Sequence, residues 1–174
     1  MTENIPNYRG AAAPYGLGYV PGPWMQSIQV SKGSSSVKNG YESITGQINV
    51  EFKKPQLPDA DWVSANLFAS STARYEANAD ATVKLSRRWS TSLLAHYENE
   101  TKAHDGNDDG FVDIPQVEQY NLWNRWAYMG DHYVFQAGFK ALSESRTSGQ
   151  AHHTDMQTGD LYKVGIDTER YELF

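Results

Sequence analysis

The run "YEANADATVKLS", residues 75–86, constrains the fold of this chain more than any other stretch. Tyr75, Ala77, Ala79, Ala81, Val83 and Leu85 alternate with Glu76, Asn78, Asp80, Thr82, Lys84 and Ser86. Successive side chains of a β-strand point to opposite faces, so the run predicts a strand with one apolar and one fully polar face. It covers twelve residues. Strands of water-soluble domains usually run to ~5–6 residues, whereas a strand tilted across a bilayer needs ~9–11.

The pattern recurs. In "YVFQAGFKA", Tyr133, Phe135, Ala137 and Phe139 oppose Val134, Gln136, Gly138 and Lys140. In "LYKVGIDTER", Tyr162, Val164 and Ile166 oppose Lys163, Gly165, Asp167 and Glu169. Six strands are expected, over 62–72, 74–86, 89–100, 119–129, 132–143 and 160–171. "SRRW" and "MGDH" read as tight turns, and residues 101–118 and 144–159 as long polar loops. The first hairpin, near Thr72 to Arg74, is short and departs from this trend. Short turns at one end and long loops at the other is the habit of outer-membrane barrels. Trp89, Trp126, Tyr128 and Tyr133 gather beside the tight turns, as an aromatic row at a membrane interface would. Trp62 fits by position, but Leu67 and Phe68 on opposite phases leave the facing of its strand ambiguous. Glu76, Asp80, Lys84, Gln136, Lys140, Lys163 and Asp167 are assigned to the lumen side.

Alternation alone fits the sheet of a soluble β-sandwich equally well. Strand length and loop asymmetry favour the barrel. The mean hydropathy of −0.65 does not decide between them, because alternating strands keep a barrel's average low. The formal charge of −6 speaks against a nucleic-acid partner. Cysteine is absent, which excludes disulfides and thiolate metal sites. No apolar run approaches the ~18 residues of a membrane helix. Met1-Thr2-Glu3-Asn4 lacks the basic start and apolar core of a secretory leader.

The first part of the chain has another character. Residues 1–23 are rich in Gly, Pro and Ala and read as irregular backbone. "WMQSIQVSKG" alternates and reads as a strand ending at Gly33. "SSSVKNG" reads as a loop or short helical turn stopped by Gly40. "GQINVEFKKP" alternates again, with Ile48, Val50 and Phe52 on one side. Pro55 and Pro58 mark a boundary, so domains are expected at 1–55 and 56–174.

Taken together, "WMQSIQVSKGSSSVKNGYESITGQINVEFKKP" resembles the C-terminal end of the plug domain of TonB-dependent outer-membrane receptors, and most of all those of the Bacteroidota type. The resemblance is carried by Ile28, Val30, Gly33, Gly40, Gly46, Ile48, Asn49 and Val50, over about thirty residues. It implies a mainly β chain: the end of a plug, then about six antiparallel strands of a transmembrane up-and-down barrel. Such a receptor has about twenty-two strands, so the resemblance implies an internal stretch of one, with an incomplete barrel and no energy-coupling box. The function it implies is TonB-driven import of a scarce, bulky solute across the outer membrane of a Gram-negative bacterium. That solute is a siderophore, cobalamin, haem, metal chelate or glycan. The partners it implies are TonB, outer-membrane lipid and the solute. A secreted calcium-dependent β-sandwich binding module is the alternative. No catalytic constellation is present, and an enzyme is not expected.

Within the first long loop, "DGNDDGFVD" sets Asp105, Asn107, Asp109 and Gly110 at the 1, 3, 5 and 6 spacing of a calcium loop, with Asp113 at position 9. Position 12 is Gln116 in place of the bidentate Glu. Calcium and a solvated acidic turn both remain open readings. His152 and His153, near Asp155, read as a polar loop tip before a metal site, because adjacent residues of an extended chain point apart. His96, His104 and His132 show no triad or metal spacing. Arg87 and Arg88 are expected to face water or lipid headgroups.

Overall fold

Six strands with an apolar and a polar edge to their sequence pair in the order in which they occur. The computed structural model describes residues 1–3, 15–33, 46–54, 62–153 and 159–174. It divides into two units, Met1–Gln56 and Leu57–Phe174. The chain is mainly β, with eight strands and one short 3-10 turn, Gly22–Trp24, among the described residues.

In the first unit β1 (Met25–Lys32) pairs antiparallel with β2 (Gly46–Phe52), with one irregularity between Met25 and Ser27. The other edge of β2 is met by the first residues of the chain. Thr2 pairs in parallel with Val50, the Glu3 amide donates to the Val50 carbonyl at 2.9 Å, and the Val50 amide donates to the Met1 carbonyl at 3.0 Å. Tyr19, Val20, Trp24, Val50 and Phe52 are buried. Trp24 meets Phe52 edge-on at 5.7 Å between ring centroids. Prolines at 21 and 23 suit the 3-10 turn that delivers Trp24 there, since their fixed φ is compatible with its first positions.

The second unit is one sheet in the order β3 (Trp62–Ala69), β4 (Arg74–Lys84), β5 (Trp89–Glu100), β6 (Gln116–Met129), β7 (Val134–Gly149) and β8 (Lys163–Leu173). All five pairings are antiparallel and none contains a register shift. The turns at 85–88 and 130–133 lie at one end, and residues 70–73, 101–115, 150–153 and 159–162 at the other. The first tight turn is closed by the Ser86 hydroxyl, which accepts from the amides of Arg88 (3.3 Å) and Trp89 (3.1 Å). In the second, the Gly130 amide donates to the Tyr133 carbonyl at 2.9 Å. At the opposite end Ala73 takes φ 62°, which lets β3 and β4 connect through four residues, 70–73.

Two strands are longer than their alternation suggests. β6 begins at Gln116 and β7 runs on to Gly149, so the sheet continues into residues expected to be loop. Backbone pairing such as Glu118 with Ser145 carries it there without apolar side chains. The facing of Lys163 and Asp167 is a correction. Asp167 pairs with Ser145 and Lys163 with Gly149, which puts both on the face of Tyr171 and Leu173, opposite Glu76, Asp80, Lys84, Gln136 and Lys140. The period of two ties facing along a whole strand. In β8 it is the second half, with Arg170 and Glu172 against Tyr171 and Leu173, that sets the phase.

Candidate functional site

The sheet has two chemically opposite faces. One carries Asn78, Asp80, His96, Gln119, Asn121, Arg125, Lys140 and Glu144, all buried. Buried polar groups are costly unless bonded, and part of this face is tied together by side-chain pairs. His96 Nδ1 and Asn78 Oδ1 lie 2.8 Å apart, and Gln119 Nε2 donates to Glu144 Oε2 at 2.7 Å. Arg146 holds both oxygens of Glu144, at 3.1 and 3.2 Å. Arg74 bridges Glu76 (2.7 Å) and Glu98 (3.2 Å), and the Ser64 hydroxyl bonds the Asp80 carboxylate.

The other face is apolar and exposed. Its middle row crosses the whole sheet through Ala65, Ala79, Ala95, Leu122, Ala141 and Tyr171. The adjacent row towards the turns holds Val63, Ala81, Leu93, Asn124, Phe139 and Leu173. Val63 is 81% exposed and Leu93 43%. Aromatic rows bound this band on both sides. At the turn end Trp89 pairs with Tyr128 and Tyr128 with Phe135; the Trp89 and Tyr128 rings are 5.1 Å apart, and Tyr133 stacks on Tyr128 at 5.3 Å. At the loop end Tyr97 pairs with Tyr120, rings 5.0 Å apart, with Tyr75 one step beyond. Beyond the Tyr97–Tyr120 pair the same face turns polar on β5 to β8, with Asn99, Glu118, Ser145 and Asp167 in the row that Tyr75 shares.

The second aromatic row was not among the sequence expectations. Its signal was available: Trp89 and Tyr97, like Tyr120 and Tyr128, are eight residues apart and therefore share a face. Eight residues at ~3.4 Å each is roughly 27 Å along the strand. A strand tilted by ~40° would project this to roughly 20 Å, close to the ~25 Å apolar band of a membrane barrel.

At the loop end, residues 101–115 are stitched to the β7–β8 connection. Phe111 bridges Gln150, the Val112 amide donates to the Gly149 carbonyl (2.8 Å), and the Ala151 amide donates to the Gly110 carbonyl (2.8 Å). This brings His152 Nδ1 within 3.7 Å of an Asp105 oxygen, a meeting the sequence does not announce. Asp105, Asn107, Asp109 and Asp113 do share this loop, but their oxygens turn to the backbone. Asp105 accepts from the amides of Asp109 (3.2 Å) and Gly110 (2.8 Å), Asp113 from Gly106 (2.7 Å), and Asp109 from Phe111 (2.8 Å). Asn107 also bonds Asp109. No three acidic or histidine side chains among the described residues are grouped to hold a metal ion. Asp155 lies outside the described residues.

Desolvation pushes the Asp105 carboxyl up, but the amides of Gly110, Asp109 and Asp108 and the neighbouring His152 outweigh it and hold its pKa below the ordinary carboxylate value. A carboxylate depressed in the folded state contributes fully above its unfolded pKa, and the contribution fades as pH falls through the folded one. The Gly110 amide resonance should therefore titrate with a midpoint below that of a free aspartate, and Asp105→Asn should abolish that titration. A midpoint at or above the free value would show that these amides do not hold the carboxylate.

The residues carrying the plug resemblance fall on β1, β2 and their ends. Gly33 follows β1 with φ +85°. Gly46 opens β2, where a Cβ would lie 3.0 Å from the Ser31 carbonyl oxygen. Asn49 is buried, with Nδ2 3.5 Å from Gln29 Oε1, and Ile48 is partly exposed. Gly40 lies outside the described residues. Among the described residues no helix is long and apolar enough to cross a membrane. No family model, curated protein or solved structure matches the chain.

Proposed function

We propose that the chain forms plug and wall of a TonB-dependent receptor that imports a scarce, bulky solute through the outer membrane of a Gram-negative bacterium. The observation that carries this reading is the inverted sheet, with polar side chains buried and an apolar face exposed between two aromatic rows. In water, each large apolar side chain left exposed forgoes roughly 1.5–3 kcal/mol of burial. Next to acyl chains the same face is matched to its solvent, and the aromatic rows fall at the two headgroup levels. The polar face then lines the lumen. The open edges at β3 and β8 would be paired by further strands of the wall, because unpaired backbone groups are costly in lipid. The plug assignment is supported by the motif on β1 and β2.

A secreted β-sandwich needs a second sheet over the apolar face, and Val63, Leu67, Leu93 and Phe135 are instead exposed. Brominated acyl chains test the membrane reading on the whole protein in vesicles. Fluorescence removed by Trp126→Phe should be quenched, because Trp126 is on the apolar face; fluorescence removed by Trp123→Phe, buried on the polar face, should not. Equal quenching of the two would end this reading. Solute uptake that persists in cells lacking TonB would end the coupling part alone.

A further inference from the structure

We propose that the basin between the two tight turns binds the phosphate of an anionic phospholipid, an inference that rests on the membrane reading above. The basin has a volume of about 710 Å³ and is lined by Ser86, Arg87, Arg88, Trp89, Tyr128 and Asp131. It is a built feature of the sheet end. Arg88 is held on both sides: its guanidinium meets Asp131 at 2.7 Å, and its carbonyl accepts the Met129 amide at 2.8 Å. That pair ties one turn to the other and cancels one positive charge. Arg87 is left over, exposed, with no hydrogen bond or ion pair to a described residue.

Charge and depth together select the ligand. The protein carries a net −6, and the loop at the far end concentrates Asp105, Asp108, Asp109 and Asp113. The turn end has the opposite bias, with Arg87 and Arg88 against Asp131. A guanidinium presents a planar fork of donors that matches phosphate oxygens. The basin also reaches Trp89 and Tyr128, the last aromatic row of the apolar band. A ligand with an anionic head and an acyl tail meets both surfaces; a soluble anion meets only the first. A basic residue at the membrane surface is favoured by anionic lipid to an extent equal to about a fivefold change in partitioning.

The test uses the whole protein in phosphatidylcholine vesicles doped with brominated phosphatidylglycerol or, at the same mole fraction, brominated phosphatidylcholine. The readout is the fluorescence that Trp89→Phe removes. Phosphatidylglycerol should quench it with about fivefold higher apparent affinity, Arg87→Gln should erase that surplus, and Arg87→Lys should retain most of it. Equal quenching by the two lipids, or a surplus that survives Arg87→Gln, overturns the site while leaving the membrane reading intact. A surplus abolished by inorganic phosphate at no higher concentration than the phosphatidylglycerol overturns the assignment to lipid, because the acyl tail would then contribute nothing. If neither lipid quenches Trp126, the membrane reading and this site fall together.

Discussion

Arginine at Ala79 should cost about 2–4 kcal/mol of folding free energy in a bilayer, and arginine at Ser145 about 0–1 kcal/mol. Both positions lie on the same face of the sheet. Ala79 is in its middle row, flanked by Ala65 and Ala95, where a guanidinium would meet acyl chains alone. Ser145 is beyond the Tyr97–Tyr120 row and sits between Glu118 and Asp167, which would offset a positive charge. In water, an exposed substitution of this kind usually stays within ±0.5 kcal/mol, so the gap between the two sites reports the solvent on that face. Denaturant titration of the protein folded in vesicles measures it. If Ala79→Arg costs no more than Ser145→Arg, the apolar face does not face lipid.

The second large effect is expected at Gly149. It ends β7 with φ +119°, and a Cβ added there would stand 2.3 Å from the Tyr162 carbonyl oxygen and 2.9 Å from the Lys163 Cα. Both neighbours are backbone of the paired strand end, so neither can swing aside. The strained conformation alone costs a side chain roughly 1–3 kcal/mol, and the contact adds to it. Gly149→Ala should therefore part the last β7–β8 pair, and with it the rim, because the Gly149 carbonyl also accepts the Val112 amide. Faster hydrogen exchange at Val112 and Ala151, with β4 and β5 unchanged, is the expected signature. Unaltered exchange at both amides would show that the rim does not depend on this turn.

How much of this was legible depended on where the apolar face gives way to polar residues. Over 75–85, apolar and polar residues alternate without exception, and β4 has the facing that its sequence states. Tyr162, just before β8, and Val164 and Ile166 within it mimic an apolar face but lie beyond the aromatic row, where both sides of a strand can be polar and facing is unconstrained by burial. The ends of β6 and β7 were missed for a related reason. Glu118, Glu144 and Ser145 pair through backbone and polar groups, which leave no hydrophobic period to read. The acidic loop advertised a calcium spacing, yet that spacing also suits carboxylates that accept their own loop's amides. The encounter of His152 with Asp105 depends on two loops meeting in space, information that no single stretch contains.

The unbroken register of the six strands limits how this chain can change length over time. Within β3 to β8 no bulge is present to absorb an extra residue. A single-codon insertion inside a strand would invert every side chain on one side of it, sending arginine and glutamate to the alanine face and alanine to the polar one. Two-codon changes would preserve facing. Natural variants should therefore differ freely in length at 101–115 and 150–162, and inside the strands only by even numbers of residues.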